Sequence, residues 1–150
     1  MNTLNFEEIQ TNQEIIQIAR DNLEQGPWDY LVGGAESETT MRRNRLAFDK
    51  LAFKPRVLID TSSVDTSTEI LGVKLRIPVL LAPIGSQQHF TKDGASVATR
   101  AAHKFNVFDV ISSVSEPDLE TIAKAAPNPK IYQLYIHGDE KWTQDMVSRA

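Results

Sequence analysis

Three short stretches place groups that could do chemistry: Ala82-Pro83-Ile84-Gly85, then Ser112-Ser113, then Gln133 with Tyr135. Each stands at the end of an apolar run that reads as a β-strand, and in parallel α/β proteins chemistry collects at the C-terminal ends of strands. The first stretch closes "RIPVLLAPIG" and offers backbone N–H and C=O groups on a platform of small residues. The second offers hydroxyls. The third offers an amide and a phenol two residues apart, and so on one side of an extended chain. Together they suit a planar heteroaromatic molecule with several ring donors and acceptors. Taken singly, each has a plainer reading. A proline after a strand stops it, a serine pair can cap the next helix, and Gln133 and Tyr135 can fill a barrel interior.

Other chemistries lack their residues. There is no Walker-type loop, no G-x-G-x-x-G after a strand and no H-E-x-x-H. Zero cysteines exclude disulfides, thiolate metal sites and a cysteine nucleophile. Of the histidines, His103 reads as a surface residue of a helix. His89 and His137 fall in strand-to-helix connections, with nothing nearby to complete a metal site or a triad. Arg42, Arg43 and Arg45 read as one solvated helix face.

The elements that must position these groups follow from periodicity. Ile15, Ile16, Ala19 and Leu23 share one face of an amphipathic helix over residues 13–24. Gly26-Pro27 is read as a break, followed by a short apolar piece, "WDYLVGG". Ser37 is expected to cap a helix running to Lys50, and residues 51–78 to be irregular or short β pieces. From Ile77 the pattern becomes regular: a strand over "PVLLAP", a helix over 95–105, and a strand over "FDVIS". A helix opened by a capping box at Ser115–Asp118 follows, then a strand over "KIYQLYI" and a helix capped by Asp139. This β-α-β-α-β-α order predicts a parallel sheet with crossover helices. Three such units cannot close an eight-stranded barrel, so the 150 residues read as the first part of something longer. The charge of −4 and 41% hydrophobic content fit a globular protein with no nucleic-acid partner. Neither a signal peptide nor a bilayer-spanning run is visible, which makes a cytoplasmic location the expectation.

Taken in order, the blocks resemble the N-terminal part of the FMN-dependent α-hydroxy-acid oxidases and dehydrogenases, the family of glycolate oxidase, lactate oxidase and mandelate dehydrogenase. The resemblance runs from about Ile15 to Ala150. It rests on Asp29-Tyr30 followed by "GGAES", on "RNRLAFDKLAFKPRVLID", on "LGVKLRIPVLLAPIG", on "ISS" and on "YQLYIHGD". It implies the N-terminal portion of a TIM (β/α)8 barrel, with residues 1–76 as helical lead-in and β cap and 77–150 as the first three βα units. The implied cofactor is FMN, lying against the backbone of Pro83, Ile84 and Gly85, with Ser112 and Gln133 at the pyrimidine side of its ring. Tyr30 would help hold the substrate carboxylate, and Tyr135 would meet the substrate near its 2-hydroxyl. No metal is implied.

Three departures bear on specificity. Gly85 stands where glycolate and lactate oxidases have alanine, and the missing methyl is expected to make room for a bulkier substrate or to change dioxygen access. Val114 stands where glycolate oxidase has a tryptophan. "HFTKDG" replaces an Ala-His-Pro-x-Gly-like stretch and leaves His89 without a role. The family's base histidine, carboxylate-binding arginine and flavin-side lysine all belong to the second half of the barrel, so no catalytic residue is assigned within this chain.

The resulting expectation is oxidation of small L-2-hydroxy acids to 2-oxo acids by a fragment inactive on its own. The alternative is a truncated pseudoenzyme or half-barrel that acts only through a partner chain. An isomerase of the same superfamily is disfavoured by Tyr30 and Tyr135, which suit hydroxy-acid chemistry. The resemblance also implies a homo-oligomer, a tetramer at full length, no membrane association, and a peroxisomal location if the source is a eukaryote.

Overall fold

The computed structural model describes residues 8–150. Two compact units divide between Ile59 and Asp60. The first is helical. Helix α1 spans Asn12–Asn22 and opens on a capping box, in which the Thr11 side chain accepts from the Glu14 N–H and the Glu14 carboxylate accepts from the Thr11 N–H. Helix α2 spans Gln25–Val32. The expected break at Gly26-Pro27 is instead the first turn of this helix, where proline forfeits no intrahelical hydrogen bond. Helix α3 spans Thr39–Asp49, and its N-cap is Glu38, in the left-handed region at φ 57° with no side-chain cap bond. Ser37, the expected cap, instead accepts from Arg42 through its carbonyl.

The second unit begins with an antiparallel hairpin, β1 (Thr68–Ile70) and β2 (Val73–Leu75), turning through Leu71-Gly72 with both residues at positive φ. A three-stranded parallel sheet follows in the order β3-β4-β5, formed by Leu80–Leu81, Phe108–Ser112 and Lys130–Gln133. Helix α4 (Ser96–Phe105) crosses from β3 to β4, and α5 (Leu119–Lys124) crosses from β4 to β5. Helix α6 (Glu140–Arg149) follows β5 and is capped by Asp139, whose side chain accepts from the Trp142 N–H. The fold is therefore mixed α/β with a regular βα alternation. The sheet is open over these residues, with β3 and β5 as its edges.

The strand β3 is much shorter than its apolar run, because it pairs with β4 only at Leu80 and Leu81. Behind the sheet, Ala95, Ile111 and Ile122 form a buried cluster, with Leu119 and Tyr132 packed against it. Burying Ile122, 1% exposed, is worth about 2–3 kcal/mol. The helix-facing side of β4 also carries Asp109, which is buried and accepts a very short hydrogen bond from the Thr99 hydroxyl of α4. Burial pushes its carboxyl above the usual range, opposed by the Thr99 bond and the charge of Lys130. Lys130, its register partner on β5, donates to the Ala126 and Asn128 carbonyls, and burial pulls its ammonium below the usual range.

Candidate active site

The ends of β3, β4 and β5 bring together six of the seven residues singled out from sequence. Beyond β3, Pro83 and Ile84 are exposed and Gly85 is half-buried. The Ile84 and Gly85 N–H groups donate no hydrogen bond among the described residues. Ser112, the last residue of β4, is buried and donates to Gln133 Oε1 at 3.1 Å. This bond across the β4–β5 register pair leaves both hydrogens of the Gln133 amide nitrogen unspent among the described residues. Tyr135 follows two residues later, its N–H donating to Ser113 Oγ at 2.9 Å. Tyr30 belongs to the first unit, on α2.

Two loops hold this platform. Ser86 N–H donates to the Val114 carbonyl at 3.0 Å, and the Ser115 hydroxyl donates to the Ile84 carbonyl at 2.8 Å. Ser115 was expected to open a helical capping box. Asp118 performs that task alone, accepting from the Thr121 N–H, and Ser115 is released to tie the loops together. The serine–x–x–aspartate spacing concealed this role, since it matches a cap as well as a loop tie.

Gly85 faces Val114 closely. A methyl group built on it would lie 2.8 Å from Val114 Cγ2. The space its missing side chain leaves is bounded on one side by Val114. The residue at 85 and the residue at 114 are one steric unit.

The arrangement is flat and short of bulky polar groups on the β3 side. On the β4 and β5 side it is edged by amide hydrogens, and it carries free backbone N–H groups between. That donor set fits a flavin, whose ring system presents carbonyl and nitrogen acceptors along one edge. Among the described residues, no group of three or more His, Asp or Glu side chains could hold a metal ion. No helix among them is long and apolar enough to cross a membrane.

Residues 19–150 match the FMN-dependent dehydrogenase family. The chain belongs to that family. Among its relatives, glycolate oxidase 1 of Zea mays is 36% identical over 143 residues, which cover 95% of this chain and 39% of the relative. The glycolate oxidase of Spinacia oleracea is 34% identical over the same length and shares. Among solved structures, mandelate oxidase superposes with a TM-score of 0.86 at 33% identity, covering 92% of this chain and 41% of the other. An active mutant of (S)-mandelate dehydrogenase gives a TM-score of 0.86 at 31% identity, covering 92% and 39%. The chain therefore spans about two fifths of the length of the relatives it matches. Family membership makes FMN the cofactor.

Proposed function

We propose that these residues form the N-terminal portion of a (β/α)8 barrel that oxidises small (S)-2-hydroxy acids to 2-oxo acids. Residues 1–76 serve as lead-in and cap, and 77–150 as the first three βα units. The observation that carries this reading is the Ser112–Gln133 bond, set beside an unspent backbone platform at the ends of three adjacent parallel strands. The open β3 edge and the apolar groove beside it, lined by Val79, Leu81, Phe105 and Val107, support continuation of the barrel.

When bound, FMN supplies the acceptor for the hydrogen and electron pair that leave C2 of the hydroxy acid. In this reading, the Ile84 and Gly85 N–H groups and the Gln133 amide stabilise negative charge at the cofactor's acceptor edge without having to reorganise. Ser112 acts one bond away: by donating to Gln133 Oε1 it turns the amide so that the N–H pair faces outward. Tyr135 presents a phenol donor to the substrate hydroxyl. The base and the arginine are supplied by later barrel strands, so the chain alone is expected to turn over no substrate.

The test is complementation. The chain would be co-expressed with the C-terminal three fifths of a glycolate oxidase, and FMN binding and hydroxy-acid consumption measured. The expected result is flavin retention and turnover by the pair and no turnover by the chain alone. Gln133→Leu should weaken FMN binding by about tenfold, the equivalent of one hydrogen bond. Unchanged FMN affinity in Gln133→Leu would overturn the site assignment.

A further inference from the structure

At the outer end of the site three rings stand in a row. Tyr135 lies 6.1 Å from His137 between ring centroids, tilted by 52°. His137 lies 6.1 Å from Trp142, edge-on at 71°. The first spacing is that of alternate residues on one side of an extended segment, so His137 continues the line begun by Gln133 and Tyr135. Trp142 reaches the row from the first turn of α6, whose start is set by Asp139 accepting the Trp142 N–H at 2.8 Å. Gly138 permits this approach, because a Cβ there would lie 2.6 Å from Trp142 Cγ.

The tie from Tyr135 N–H to Ser113 fixes the tyrosine backbone but not its ring. Tyr135 is 56% exposed, and its aromatic contact is with His137. The His137 side chain makes no hydrogen bond or ion pair among the described residues, and Asp139, Glu140 and Lys141 are the charged residues that follow it on the cap and first turn of α6. Its ring contacts are with Tyr135 and Trp142. A phenol that must place its hydroxyl on a reacting group needs a locked ring, and here the lock runs from Asp139 through Trp142 and His137 to Tyr135. We propose that His137 is a positioning residue that holds the Tyr135 ring, braced from behind by Trp142. Its use in hydroxy-acid oxidation rests on the function proposed above, whereas the ring lock itself does not.

The test uses this chain without flavin, which separates failure of the lock from failure of the functional reading. Trp28→Phe leaves Trp142 as the single tryptophan of the two. In that background, His137→Ala should shift the Trp142 emission, because it removes the ring packed edge-on against the indole, and His137→Phe should restore it. In parallel, NMR of ring-labelled tyrosine should show the Tyr135 resonances shifted and sharpened toward free-ring values by His137→Ala. They should be restored by His137→Phe, while Tyr132 stays unmoved. Trp142 emission unmoved by His137→Ala, or Tyr135 resonances indifferent to it, would each overturn the proposal.

Discussion

Replacing Gly85 with alanine tests whether its bareness is set by Val114. The added methyl would sit 2.8 Å from Val114 Cγ2 and 3.9 Å from its Cβ, where carbon atoms prefer about 3.5–4.0 Å. Val114 has little room to yield. Its carbonyl is held by Ser86 N–H at 3.0 Å and its N–H donates to Ser112 Oγ at 3.3 Å. Its branched side chain also turns reluctantly about χ1. Overpacking of this kind costs about 1–3 kcal/mol. Gly85 is not in the left-handed region, so alanine would recover about 0.4–1 kcal/mol through the unfolded chain. The net expectation is a loss of about 1–2 kcal/mol for Gly85→Ala. Adding Val114→Ala removes the obstructing methyl. In a double-mutant cycle by urea unfolding, the pair should then be more stable than the two single changes sum to by at least about 1 kcal/mol. Additivity within about 0.5 kcal/mol, or a stabilised Gly85→Ala, would refute the steric account.

Gly94 offers a harsher case. It sits at φ +51°, and a Cβ there would collide with the Glu116 carbonyl, which already accepts the Ala95 N–H at 2.9 Å. Gly94→Ala should cost more than about 3 kcal/mol and leave the second unit largely unfolded by circular dichroism at 25 °C. Asp109 gives a pH signature. Its folded carboxyl is raised from 3.8 mainly by burial, so its contribution is fully present below that value and is lost as pH rises through the folded value. Wild type measured against Asp109→Asn should therefore be relatively more stable at pH 3–4 than at pH 7, and a difference constant with pH would contradict the assignment. The comparison is needed because Asp60, Asp65, Asp118 and Glu120 are held below their usual range by hydrogen bonds, and these carboxyls favour the folded state in the opposite direction.

Elements whose local signals agreed with their surroundings could be read from residues alone. The β4 strand falls on "FDVIS" as expected, α4 begins one residue later than its periodicity suggests, and Asp139 caps α6. Disagreements arose where one residue type serves two purposes. Proline at position 27 reads as a breaker, although in a first turn it costs the helix nothing. An apolar run such as "PVLLAP" reports burial rather than ladder length, so β3 could not be measured from it. The strand-end residues were legible because alternation brings Gln133 and Tyr135 to one side. The Ser112–Gln133 bond, the Ser115 tie and the Val114 contact with Gly85 were not. Each joins residues far apart in sequence, which no local pattern encodes. Asp109 escaped for a related reason: a charged residue inside an apolar strand gives no sign of the threonine ten residues earlier that receives it.

The two ties between the loops after β3 and β4 have a kinetic consequence. Ser86 to Val114 and Ser115 to Ile84 are made wholly within the chain, so the platform stands before any ligand arrives. A preformed surface loses little conformational freedom on association, and its recognition resembles docking onto a rigid template more than folding around a guest. The Ser86 amide should accordingly exchange with solvent deuterium slowly in the ligand-free chain, at a rate that cofactor changes little. The neighbouring Ile84 and Gly85 amides, which have no partner among the described residues, should exchange fast until something flat covers them.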